Sequence, residues 1–153
     1  MFYQCSSITK IDLSNFDTSF VTNMAHLFHG CSTLTSVNLN GLKTDIVNHI
    51  DSMFQECRLL KSIDLSMFNT ANVIYFHLMF HQCSSLTSLV LSNFMTNNSE
   101  CMDNMFSGCH QLKTIILLNT VINDDTSFKS IIDNSLKNPI ICIRDLSSLN
   151  KIK

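Results

Sequence analysis

The sequence is poor in the residues that interrupt regular structure and in charge. Its 153 residues include one proline, three glycines and no tryptophan. No stretch therefore has the composition of a flexible linker, and one continuous array is expected. Charged residues make up 14% of the chain and the net charge is −2, against about 25% charged residues in typical domains. This composition gives no electrostatic reason to expect nucleic acid or an anionic membrane as a partner.

Long apolar runs are also missing. No run approaches the roughly 20 residues of a membrane-spanning helix, and the N-terminus has no basic segment followed by an apolar one, as a signal peptide would. We therefore expect no membrane insertion. Hydrophobic residues nevertheless form 45% of the chain, which is enough to build a core.

What is present is a strict repeat of 26 residues. Cysteines mark it, and apolar residues keep the same interval between them. Such regularity is typical of a solenoid or array. Counting the cysteine as repeat position 1, the coils numbered 1 to 5 begin at Cys5, Cys31, Cys57, Cys83 and Cys109.

Each repeat contains an alternating apolar pattern. Ile11 and Leu13 flank Asp12 in coil 1, as in a strand with one buried face. The same positions recur in every coil. The pattern predicts six parallel strands, at 8–13, 34–39, 60–65, 86–91, 112–117 and 139–144.

A second apolar pattern follows the strand. Its spacing of three, three and one residues is that of one stripe of a helix, and Thr18 precedes it as an N-cap would. In coil 1 the stripe consists of Val21, Met24, Leu27 and Phe28. Helices are therefore predicted over 19–29, 45–55, 71–81 and 97–107, with a less regular one near 125–134.

The L-x-x-L-x-L core of each coil is that of a leucine-rich repeat. The predicted class is an α/β leucine-rich-repeat solenoid, with a parallel sheet on the concave side and short helices on the convex side. The runs Cys5–Thr18 and Cys83–Phe94, with their Met-Phe-x-x-Cys junctions, resemble the BspA-type leucine-rich repeats of surface proteins. The resemblance implies a secreted or cell-surface protein that binds a protein or glycan.

The domain prediction is a single array over 1–153, with a degenerate last coil over 135–153. Met1 and Phe2 occupy the repeat positions of Met53 and Phe54, so the first coil has no layer before it. Repeat arrays need polar capping units. We therefore expect a fragment of a larger array that lacks an N-terminal cap.

Chemical motifs are few. Equally spaced cysteines should point the same way into the core as free thiols, without disulfides. His77 and His81, and also His26 and His29, are close enough in sequence to approach one metal, but no third ligand follows. No nucleophile motif or glycine-rich phosphate loop occurs. We predict no metal, no cofactor and no enzymatic activity.

The concave face is the predicted binding surface. It is polar in the first three coils and apolar in the last three, and an exposed apolar patch usually marks a contact. That patch either meets a partner or is covered by the chain's own C-terminal part. Alternative readings are an intracellular scaffold and a fragment without function. The candidate binding residues are Asp12, Asn38, Asp64, Val90, Ile116, Leu118 and Ile140.

Overall fold

The computed structural model describes residues 1–118 and 140–143, and in them it contains five short parallel strands. Five of the six predicted strands are present, each shorter than predicted, whereas residues 60–65 form no strand. The strands are β1 (Lys10–Asp12), β2 (Ser36–Asn38), β3 (Ser88–Val90), β4 (Thr114–Leu117) and β5 (Ile140–Ile143).

The strands form two sheets separated at coil 3. One sheet pairs β1 with β2, and the other has the order β3-β4-β5. Each residue pairs with the one 26 positions later, as Ile11 does with Val37 and Leu89 with Ile115. One coil is therefore one repeat.

The predicted helices are absent from residues 1–118 and 140–143, so the α/β assignment is wrong. Turns occupy 19–29, 45–55, 71–81 and 97–107, while the segment near 125–134 lies outside the described residues. In coils 1 to 4 this turn segment places two residues in the left-handed region, His26 at φ 56° and Gly30 at φ 74° in coil 1. An α-helix needs φ near −63° at every residue. The equivalent left-handed residues are Gln4, Ser52, Glu56, Leu78, Gln82, Asn104 and Gly108.

These turns satisfy their backbone groups by alternation. The N–H of His26 donates to Asp51 O in the next coil at 3.0 Å, and the N–H of Phe28 donates to Met53 O at 2.9 Å. Between them, the N–H of Leu27 closes a turn onto Met24 O at 3.3 Å. Local turns and inter-coil bonds together do the work that i→i−4 bonds do in a helix. We call this side of the molecule the turn face.

The threonine before the turns is not a helix cap. Thr44 donates its hydroxyl to Asn69 O at 3.0 Å and accepts the Asn69 N–H at 2.8 Å. Thr18 and Thr70 make the same pair of bonds to the coil that follows them. A threonine hydroxyl can cap a helix, and it can equally form hydrogen bonds to a neighbouring coil.

The core beneath the turns is a stack of phenylalanines. The rings of Phe28 and Phe54 lie 5.2 Å apart and those of Phe54 and Phe80 lie 5.6 Å apart, nearly parallel. Phe2 and Phe106 extend the stack at its two ends. Each full burial of such a side chain stabilises the fold by about 1.5–3 kcal/mol. Because every ring packs on the next coil, stability depends on stacking.

Candidate functional site

The outward side of the strands, here called the strand face, carries the predicted binding residues. Asp12 and Asp64 are exposed and Asn38 is half-buried. Each accepts a hydrogen bond from the backbone N–H two residues later, at 2.9, 3.1 and 2.9 Å for Asp12, Asn38 and Asp64. This Asx turn closes the strand segment. All three therefore have a structural task, which sequence reasoning did not assign.

The two carboxylates are held in their ionised form. The backbone N–H of Ser14, and then its hydroxyl, lower the pKa of Asp12. The hydroxyl of Ser66, and then its backbone N–H, lower the pKa of Asp64. Hydrogen bonds donated to a carboxylate favour its charged form. The polar part of the strand face therefore presents two fixed negative charges at neutral pH.

The later coils present an apolar patch, which we define as Val90, Ile116, Leu118, Ile140 and Cys142. Val90, Ile116 and Cys142 are register partners on neighbouring strands. Val90 is 52% exposed, Leu118 40% and Ile140 65%, while Ile116 is half-buried. The structure thus brings together the apolar residues predicted for this face, Cys142 among them.

A groove opens on the strand face where the two sheets separate. Its volume is about 500 Å³, within the range of ligand pockets. Sequence reasoning missed it because Ser62-Ile63-Asp64 follows the repeat pattern as well as Lys10-Ile11-Asp12 does. We call it the sheet-break groove. It is lined by Ile63, Asp64, Leu65, Ser66, Val90, Ser92 and Asn93.

The turn face gathers histidines around one carboxylate. Asp51 Oδ2 lies 3.8 Å from Nε2 of both His26 and His77, and its Oδ1 lies 3.5 Å from Nδ1 of His49. His26 also approaches His29, with 3.3 Å between their Nδ1 atoms. Across residues 1–118 and 140–143 no group of three such side chains is arranged to hold a metal ion. Sequence spacing revealed only the pairs within one coil; the 26-residue register is the signal for the contacts between coils.

Four of the five repeat cysteines are buried thiols, and Cys5 is half-buried. Cys57 donates its Sγ–H to Phe28 O at 3.3 Å and Cys83 donates to Phe54 O at 3.0 Å. Burial raises the pKa of both thiols far above the usual range. Since the thiolate is the reactive form, these groups are chemically inert. By contrast, Cys101 is half-buried and Cys142 is exposed, and neither belongs to the 26-residue cysteine series.

Parallel strands at a fixed interval, with a stacked core and turns on the far side, define a solenoid of the leucine-rich-repeat kind. The family model described as "Mycoplasma protein of unknown function, DUF285" matches residues 1–133, so the chain belongs to that family.

A solved structure supports the same fold. The leucine-rich-repeat protein of T. pallidum (TpLRR) superimposes with a TM-score of 0.59 at 18% sequence identity, over 99% of this chain and 73% of the other. At this identity the likeness concerns the fold alone. No curated protein matches the sequence. Within the described residues, no helix is long and apolar enough to cross a membrane.

Proposed function

We propose that the chain is an interaction module of a BspA-like repeat protein, which captures a protein partner on its strand face. The observation that carries this is the apolar patch. It holds three large side chains between 40% and 65% exposed, on three neighbouring strands. A contiguous exposed apolar patch with a polar rim is typical of a binding surface.

The remaining features favour binding over catalysis. Extended repeat surfaces act by many shared contacts, and the strand face offers apolar side chains, two fixed carboxylates and hydroxyl groups. The net charge of −2 favours neither nucleic acid nor an anionic membrane as the ligand. We propose no cofactor, no metal and no enzymatic step.

Ile116→Asp tests the proposal. A carboxylate in the middle of the patch should abolish partner capture. Burying an unpaired charge in an apolar contact costs on the order of several kcal/mol of binding free energy. The circular-dichroism spectrum should stay unchanged. The measurement is affinity capture from cell extract, with mass spectrometry of the proteins that the wild type retains and the variant loses.

Asn38→Asp is the matched control. It adds the same charge at the same repeat position, three coils earlier, and an aspartate there keeps the Asx turn, as Asp12 and Asp64 do. Capture should survive this change. If Ile116→Asp unfolds the chain, the patch is core; if the variant stays folded and still captures the same proteins, the partner binds elsewhere.

A further inference from the structure

The sheet-break groove joins the apolar patch to the polar part of the strand face. Its floor includes Leu65, which is 1% exposed, and the half-buried Ile63. Val90 belongs to both the groove and the patch. An apolar side chain of a ligand that enters the groove can therefore lose contact with water on several sides. On the flat patch the same side chain would lose contact with water on one side only. Such a pocket is where binding energy concentrates.

One charge stands at the rim of this groove. The carboxylate of Asp64 is exposed and ionised, because hydrogen bonds from Ser66 lower its pKa. Only one of its oxygens is used by the Ser66 N–H, and a carboxylate has about four acceptor sites. It can therefore accept bonds from a ligand without losing its Asx turn.

The nearest basic side chains do not cancel that charge. Arg58 is paired with Glu56 at 2.9 Å. Lys61 precedes Asp64 by three residues, which is about 10 Å along an extended chain. Lys10 lies two coils away, again about 10 Å by strand spacing. The groove therefore complements a cation beside an apolar group.

We propose that the strand face binds an extended peptide that crosses the strands, with an apolar side chain in the groove beside Val90. A lysine or arginine two residues further along it reaches Asp64. Side chains at alternate residues of an extended peptide are about 6.6 Å apart, and neighbouring coils are about 4.8 Å apart. With the apolar group in the groove between coils 3 and 4, these spacings place the backbone of the basic residue near coil 2, about 4.8 Å from coil 3. A lysine or arginine side chain is long enough to reach back to Asp64 from there. This inference rests on the proposed function and names its ligand class.

A pair of synthetic peptides provides the test. One is acetyl-Leu-Ser-Leu-Ser-Lys-Ser-amide, and the other has glutamate in place of lysine. Affinity is measured by titration with NMR detection, which is suited to weak binding. We expect the affinity for the lysine peptide to be about threefold or more higher than that for the glutamate peptide, which is the size of effect that an exposed ion pair gives. The difference should shrink at high salt, because exposed charges are screened.

Asp64→Asn should remove that preference while leaving the apolar contribution in place. Asparagine keeps the Asx turn, as Asn38 shows at the same repeat position. Asp17→Asn is the matched control, since exposed Asp17 accepts the same type of bond from the Ser19 N–H at 3.0 Å and is not among the candidate binding residues. It should leave the preference unchanged. Equal affinities for the two peptides, or equal effects of the two variants, would overturn the inference.

The same titration separates this inference from the proposed function. If Ile116→Asp abolishes binding but Asp64→Asn leaves the lysine preference intact, the patch binds peptides and the assigned cation site is wrong. If neither substitution alters binding, the proposed function fails together with the inference. Loss of both affinity and preference in the expected variants supports the two together.

Discussion

The turn face and the strand face are both built from the same coils, yet they differ in continuity. On the turn face, inter-coil hydrogen bonds run unbroken from Phe2, whose N–H donates to Leu27 O, to Gln82, whose N–H donates to Ser107 O. On the strand face the ladder is interrupted at residues 60–65. Within residues 1–118 the turn face has no strand or helix, yet its hydrogen bonding between coils is the more continuous of the two faces.

Burial under each ladder accounts for the difference. On the turn face, Phe28, Phe54 and Phe80 are fully buried in successive coils. On the strand face, the inward residues Val37 and Ile63 beside the sheet break are only half-buried, whereas Leu89 and Ile115 in the three-stranded sheet are buried. Close packing beneath a backbone fixes its position, and looser packing lets neighbouring coils separate. Hydrogen-bond ladders in this fold therefore follow the quality of the core below them.

Phe54→Ala should have the largest effect on stability, because it removes the centre of the phenylalanine stack. Truncating a buried phenylalanine costs about 3–5 kcal/mol. Phe2→Ala is the control, since Phe2 is half-buried at the end of the same stack and should cost less. Urea unfolding of both variants measures the difference. Equal losses would mean that the turn face is not a cooperative stack.

Leu65→Ala probes the strand side of the same coil. Leu65 is 1% exposed, and its truncation should cost about 2–5 kcal/mol. We expect a smaller loss than for Phe54→Ala, since the residue borders the sheet-break groove. Leu13→Ala should cost less again, because Leu13 lines an open cavity of about 300 Å³ at coil 1. A reversed order of Leu65 and Leu13 in urea unfolding would contradict the role of stacking.

His29 gives the turn face a pH dependence of smaller size. Burial, and then the neighbouring His26, lower the pKa of His29 below its ordinary 6.5, against an opposing effect of Glu56. The folded state therefore binds the proton less tightly than the unfolded state. The stability associated with neutral His29 is present above the ordinary pKa and is lost as the pH falls below it.

His29→Gln should reduce that loss. Comparison of unfolding free energies at about pH 7.5 and about pH 5.5 measures it for the wild type and the variant. The substitution keeps a polar side chain beside Tyr3, whose ring lies 5.0 Å from that of His29. An unchanged pH dependence would show that His29 protonates equally well in both states.

The 26-residue interval predicted the parallel strands, their register and the buried cysteines, because each depends on which residues recur. It did not predict the turns. Apolar residues at positions such as Met24 and Phe28 have a helical spacing, but a tight series of turns buries the same residues. The distinguishing signal is the left-handed backbone at positions such as Ser52 and Leu78, and neither residue type favours that conformation.

The sequence predicted which residues lie on the candidate site, but it did not predict the groove between them. Repeat position 8 identified Asp12, Asn38, Asp64, Val90 and Ile116 as outward-facing. The groove depends on how far two coils separate. That distance is set by packing, and the 26-residue repeat pattern does not predict it. The histidine cluster around Asp51 depends on contacts between three coils. The sequence of a single coil therefore does not predict it.

The constant distance between partners has a genetic consequence. The thiols of Cys57 and Cys83 each donate to the carbonyl 29 residues earlier. The threonine at repeat position 14 donates its hydroxyl to the carbonyl 25 residues later, as Thr44 does. Recombination that adds or deletes one whole repeat in frame gives every group at the junction a new partner of the same kind. Such events can therefore lengthen or shorten the strand face by one coil at a time while the fold stays the same.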